Sequence, residues 1–291
     1  MASSDILYKV CRDEYEAYTL YRALMKSRWG KKYRNILEKA AEDELHHYRF
    51  WTSVVGKCTT NFTKIKVLLY TIMLYLFGLT VTLKAIESRE TDASRIYREL
   101  SESRPDLKDS LSKIIDDEER HEAEFASSID EGRVRYLGSI TLGISDALIE
   151  LTGIYTGSLG AFENTISAGL TGFLAGVAAS ISMGIASYSQ AKHEAYKNPK
   201  LSALYTSIAY LIVVILLALP YFVIKSMIFA FMAMVIIAIV VVAYMTFYTT
   251  VLHNRNYLRE FIETATMILG VSLLLYILGS ILGKLIGIEI K

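Results

Sequence analysis

The chain has 291 residues, 53% of them hydrophobic, with 31 Lys and Arg against 30 Asp and Glu. The near-zero net charge by itself says nothing about nucleic acid, and no basic tract suggests a binder held by phosphate contacts. The charges are nevertheless uneven: residues 1–136 carry about three-quarters of them, and the rest is a succession of long apolar runs, so a polar helical half precedes a polytopic membrane half.

In chain order, Met1 to Asp5 and onward lacks a basic flank followed by an apolar core, so the polar half is expected to stay in the cytosol. Cys11 and Cys58 are the only cysteines; they are expected as separate buried thiols rather than as a disulfide or a metal clip. Helix formers dominate residues 1–135 and strand alternation is absent, which predicts an all-α fold. Ser4 or Asp5 caps a first helix to about Ser27, ended by Gly30. A second helix runs from about Lys32 to Val55, a third from about Thr80 to Ser101, and a fourth opens at Pro105 and Asp106 and passes through His121.

The acids on these helices follow an order. The first helix offers Glu14, the second Glu44 and His47, the third Glu87 with Glu90 one turn on, and the fourth Glu118 and His121. Residues three apart share a helix face, so each E-x-x-H pair converges on one point. One Glu from each of two helices plus a Glu-x-x-His from each of the other two is the donor set of di-iron carboxylate bundles. Glu14 and Glu44 are thirty residues apart, Glu87 and Glu118 thirty-one, a spacing that suits two antiparallel helix pairs with ligands at mid-height. The carboxylate-rich set suits iron or manganese. His46, Glu16, Glu38, Glu42, Glu119, Glu122 and Glu124 fall off the converging face and are expected to be solvated or partner-facing.

Residues 5–130 resemble a ferritin-like domain of the rubrerythrin type. The motifs are Glu14-Tyr15-Glu16 with Tyr21, Glu44-Leu45-His46-His47, Glu87-Ser88-Arg89-Glu90 and Glu118-Glu119-Arg120-His121. The resemblance implies Glu14, Glu44, His47, Glu87, Glu118 and His121 as ligands, with Glu90 as a seventh or alternate one. An apolar run, Val67 to Val81, interrupts this half. It is short of the roughly 20 residues that a span needs, and one crossing would part Glu44 from Glu87. The segment at about 64–81 is therefore expected to lie at the membrane interface, with Lys64, Lys66 and Lys84 reaching for head groups, or else to be a buried connection.

The domain expectation is a metal-binding bundle over 1–132 and a transmembrane domain over 133–291, with spans at about 137–160, 166–191, 201–224, 226–252 and 261–286. Basic residues flank one side: Arg133 and Arg135 before the first span, Lys192, Lys197 and Lys200 after the second, Arg255 and Arg259 between the last two. They place the N-terminus inside and the C-terminus outside. The first two spans are rich in small residues, as in Gly153-x-x-x-Gly157 and Gly172-x-x-x-Gly176, which let helices approach closely. Asp146 and Glu150 share one face of the first span, and intramembrane acids mark a pathway. Ser182 and Met183 lie deep in the second, where a thioether is a weak soft ligand for an ion in transit.

Leu142-Gly143-Ile144-Ser145-Asp146-Ala147-Leu148, then Thr152-Gly153 and Ser182-Met183, resemble the vacuolar iron transporter family. That likeness implies a dimer formed through the first spans, and Fe²⁺ moved out of the cytosol against protons. Where that family often has a Glu four residues after the Met, this chain has Ser187, and Glu150 is the candidate replacement. The expected protein is an integral cell-membrane exporter of Fe²⁺ or Mn²⁺ by proton antiport, whose di-iron-type domain captures or senses the metal. The alternative is a membrane-anchored di-iron ferroxidase or peroxide reductase.

Overall fold

A computed structural model describes residues 4–56, 58, 64–161, 164–194 and 197–286. The fold is all-α, with no strand among the described residues. The chain divides into two compact units, Met1–Glu131 and Gly132–Lys291.

The first unit contains α1 (Ser4–Leu24), α2 (Arg34–Val55), α3 (Lys64–Phe77), α4 (Leu79–Ser103) and α5 (Lys108–Ser128). Its core is two apolar layers with a polar layer between them. One layer holds Leu20, Leu24, Leu37, Leu83 and Phe125. The other holds Val10, Trp51, Tyr97, Leu100 and Leu111. Along α1 and α5 the chain passes from the second layer to the first; along α2 and α4 it passes from the first to the second. Helices α1 and α5 therefore run one way and α2 and α4 the other. The chain leaving α2 must return the length of the bundle before α4 can begin, the single long crossover of ferritin-like bundles.

Helix α3 belongs to that crossover. Its 14 residues span about 21 Å at 1.5 Å per residue, too short to cross a bilayer. It packs on α1 and α4, burying Leu74, while Ile65, Leu68, Leu69, Ile72, Tyr75 and Leu76 stay exposed. Gly78, at φ +90°, makes the turn into α4, a conformation that side chains with a Cβ resist. Lys66 pairs with Glu16 at 2.6 Å and Lys84 with Glu122 at 3.4 Å, so these two amines find carboxylates of the bundle where head-group contacts were expected. The side chain of Lys64 lies outside those described.

The second unit opens with the short α6 (Gly132–Arg135), followed by α7 (Leu137–Ala161), α8 (Thr165–Ala191), α9 (Pro199–Val223), α10 (Met227–His253) and α11 (Tyr257–Ile286). The last five are long and apolar enough to cross a membrane. The side chains of Asn164 and Asn198 accept from backbone amides at the starts of α8 and α9, satisfying donors that a helix start leaves open. Helix α9 is central, packing on α7, α8 and α10. The small residues of α8 are turned inward: a Cβ on Gly172 would strike the Tyr155 ring and one on Gly176 would strike Val214. The outward faces carry residues such as Leu174, Ile185, Phe229 and Leu273, the pattern of helices solvated by lipid.

Backbones approach closely between α7 and α9, where a Cβ on Gly143 would lie 2.4 Å from the Thr206 carbonyl oxygen. Gly143→Ala must push the helices apart and should cost about 1–3 kcal/mol, the range for overpacking. Gly157→Ala, whose Cβ would meet nothing within 4 Å, should not lower the stability of the fold. Thermal unfolding of both variants in detergent measures the difference.

Candidate metal centre

The polar layer of the first unit is built by register. On α1, Glu14 follows Val10 and Cys11 by one turn; on α2, His47 precedes Trp51 by one turn; on α5, Glu118 and His121 sit between Ile114 and Phe125. Each helix thus carries an apolar stripe interrupted at the same height. Glu14, Glu44, His47 and Glu118 each place a ligand atom within 4.8 Å of the others. Glu44 is fully buried, and Glu14, His47 and His121 are nearly so.

Both imidazoles are aimed alike. His47 Nδ1 lies 3.2 Å from Glu118 Oε1 and 3.4 Å from Glu14 Oε2. His121 Nδ1 lies 3.6 Å from Glu44 Oε1 and 3.8 Å from Glu118 Oε2. Both inner nitrogens thus face the carboxylates of the layer. The other ring nitrogens face outward to carboxylates: His47 Nε2 is 3.3 Å from Asp117 and His121 Nε2 is 3.0 Å from Asp43. Arg120 bridges those aspartates, 2.7 Å from Asp43 and 2.5 Å from Asp117. A carboxylate behind each imidazole fixes its tautomer and leaves the inner nitrogen for a cation. Each helix supplies the partner of the other: the sequence D-E-x-x-H occurs at Asp43–His47 and again at Asp117–His121. The Asp before each Glu was the available signal for these two supports.

Glu87 accepts a hydrogen bond from the Tyr21 hydroxyl at 3.1 Å and stands within electrostatic reach of Glu118 and His121. Tyr97, on α4 and wholly buried, donates to Glu14; sequence reading missed it. The side chain of Glu90 lies outside those described. Glu16, expected to be solvated or partner-facing, is buried and held by Lys66 and by Arg89 at 2.9 Å, because α3 and α4 each direct a cation at its face of α1. Glu38, Glu42, His46, Glu119 and Glu122 are exposed and Glu124 half-buried. Cys11 and Cys58, expected as separate thiols, form a disulfide. Because α1 and α2 run antiparallel, the residues just past the end of α2 come beside the start of α1, a long-range contact that spacing does not display.

The donor set fits a metal cation. Glu14, Glu44 and Glu118 converge on two imidazoles with Glu87 within electrostatic reach, an excess of negative charge in a space where unpaired charge is costly. The electrostatics of the layer follow from this excess. Burial opposes a charged imidazole at His47, but Glu118 and Glu14 outweigh it and carry the ring up to about 11. Burial and then the neighbouring Glu118 charge push Glu87 up. Burial also works against ionised Glu118, yet His121 and His47 hold its carboxyl down.

The rubrerythrin family model matches residues 5–129. No curated protein and no solved structure matches the chain significantly. The first unit therefore contains a rubrerythrin-like, ferritin-type domain, and that match with the Glu/His cluster points to iron; nothing in either favours manganese.

The membrane-type unit holds a second polar group. The Tyr210 hydroxyl on α9 donates to Glu150 Oε2 at 2.5 Å, and Asp146, one turn away on α7, is within electrostatic reach of both. Two turns before Asp146, Ser139 meets Ser202 at 2.6 Å; Ser202 meets Ser187 at 3.0 Å; and Thr206 lies 2.8 Å from Ser187. These buried hydroxyls and the acids lie where α7, α8 and α9 meet. Met183 packs half-buried against the adjoining core, whereas Ser182 is exposed on α8. Ser139, Ser202, Thr206 and Tyr210 were not singled out from sequence, since isolated hydroxyls in apolar helices carry no signature.

Two outcomes follow for the metal centre. Because the raised His47 is protonated at neutral pH, a cation taking its Nδ1 must displace that proton. Metal uptake should release protons and weaken as pH falls, which calorimetry with anaerobic Fe²⁺ in buffers of different ionisation enthalpy reads directly. The same shift stabilises the metal-free fold fully below about 6.5, and the contribution is lost as pH rises through about 11. Separately, Asp43→Asn or Asp117→Asn should lower iron affinity about 10–100-fold while leaving the ligands in place, measured by equilibrium dialysis.

Proposed function

We propose that this chain is a membrane exporter of Fe²⁺, working by proton antiport, whose rubrerythrin-like domain captures the ion on the cytosolic side. The observation that carries this reading is the Asp146–Glu150–Tyr210 group, set among helices long and apolar enough to cross a membrane. A helix serving only as an anchor has no use for paired acids, whose place in a bilayer is costly. The resemblance of residues 142–153 to the vacuolar iron transporter family supports the same conclusion, as does the iron-type donor set in the first unit.

In this reading Asp146 and Glu150 hold Fe²⁺ as carboxylates, Tyr210 orients Glu150, and Met183 offers a soft contact along the way. Protons arriving from the outer face neutralise the acids and release the ion. The hydroxyl seam of Ser139, Ser202, Ser187 and Thr206 lines the inner approach; Ser187 gives it neutral hydroxyl character where the resembled family often has an acid. Glu14, Glu44, His47, Glu87, Glu118 and His121 would hold iron in the bundle, with Tyr97 and Tyr21 orienting Glu14 and Glu87. Bound iron there supplies one-electron redox chemistry. The basic flanks support a cytosolic side for the bundle and the inner loops. The exposed apolar side of α3 suits a bilayer surface, and the small-residue spans suit a dimer.

A second reading, a membrane-anchored ferroxidase or peroxide reductase, is favoured by the family match over residues 5–129. The two part in proteoliposomes oriented with the bundle outside and given Fe²⁺ anaerobically. The exporter predicts metal entry with lumenal alkalinisation, reduced at least tenfold in Asp146→Asn while bundle iron content is kept. Absence of flux, with Fe²⁺ oxidised once air or peroxide is admitted, would overturn it in favour of the enzyme.

A further inference from the structure

The disulfide occupies an unusual place. The only two cysteines in 291 residues are joined to each other inside the metal-binding unit. Cys11 is fully buried and Cys58 nearly so. They share one apolar cluster with Trp51 and Tyr97, whose rings stack at 5.5 Å. Tyr97 donates from its hydroxyl to Glu14. The covalent backbone gives two further links: Cys11 precedes Glu14 by three residues on α1, about 4.5 Å of helix rise, and Trp51 follows His47 by one turn on α2. The sulfur pair is thus connected to the carboxylate–imidazole layer through a hydrogen-bonded phenol, a stacked indole and one turn of each of two helices. An ordinary staple needs none of these connections.

We infer that Cys11 and Cys58 are a redox-active pair that returns iron in the adjoining layer to the ferrous state, a role that rests on residues 5–129 holding iron. Cys11 and Cys58 each give up a thiol proton and one electron. The two sulfurs join in the S–S bond, two Fe³⁺ become two Fe²⁺, and the two protons leave to solvent. A dithiol from solution, small or of the thioredoxin class, reopens the bond by exchange and is itself oxidised. Disulfides in proteins that face the cytosol are mostly transient, catalytic or redox-sensing rather than structural, so the cytosolic side proposed for the bundle agrees with a working pair. Cys58 stands outside the helices, beyond the end of α2, and can part from Cys11 without unwinding one. The pair also reconciles an oxidisable iron centre with a pathway for Fe²⁺: iron that turns ferric in the bundle regains the transportable state before it leaves.

The test uses the full-length protein in detergent under argon, reduced with a phosphine that is then removed. Two equivalents of ferric citrate are added, and thiols are counted by alkylation and mass shift while Fe²⁺ is read with a chromogenic chelator. Two thiols lost and two Fe²⁺ gained per chain is the expected result. In Glu44→Ala/Glu118→Ala the thiols should disappear at least tenfold more slowly, and in Cys11→Ser the iron should stay ferric. Iron bound with both thiols intact, or thiol loss equally fast without the carboxylates, would reduce the disulfide to a structural staple and overturn the inference alone. Failure of the wild type to bind iron would instead remove the metal-centre reading and the inference with it. Wild-type thiol counts decide the question even where a cysteine variant does not fold.

Discussion

Everything in the first unit depends on one unfavourable act, the burial of acidic side chains in the middle of a helical bundle. Glu44 has no exposure at all and Glu14 very little, and carboxylates so placed must be answered by positive charge. In this protein the answer is graded outward. Two imidazoles face the acids, two aspartates stand behind the imidazoles, and one guanidinium ties the aspartates together. The apolar layers above and below exclude water and make each of these interactions stronger than it would be at a surface. They also fix helix direction, since the interruption must occur at one height on every helix. The crossover and its exposed apolar helix follow from that direction.

The membrane-type unit answers a milder version of the same demand. Asp146 and Glu150 sit among apolar helices with hydroxyls rather than cations for company. Hydroxyls stabilise a carboxylate less than a guanidinium does, which leaves the acids free to exchange partners. A bundle that holds its charges tightly and a set of spans that holds them loosely divide retention from passage in the same way as the proposed function does.

Much of this was legible in the chain. The ordered Glu and Glu-x-x-His residues identified the layer because helical spacing converts directly into a shared face, and Asp146 with Glu150 stood out because acids are rare in such runs. The five long apolar helices were legible by length alone. What escaped depends on contacts between distant segments. Glu16 looked solvated because its partners, Lys66 and Arg89, come from other helices. The Cys11–Cys58 bond exists only once α1 and α2 pair antiparallel, and the Tyr97 support of Glu14 only once the crossover has returned the chain. Asp43 and Asp117 were readable in principle, as the residue ahead of each Glu, but their role is crossed between helices, and no single-helix pattern contains it.

Arg120 gives the arrangement a property that a list of ligands does not have. One side chain neutralises the supports of both imidazoles, so a change in charge at either histidine is felt by the other through a common counter-ion. The two halves of the centre cannot be tuned one at a time. Asp117 behind His47 and Asp43 behind His121 share this one counter-charge, so the loss of the Arg120 guanidinium would disturb the supports of both rings together.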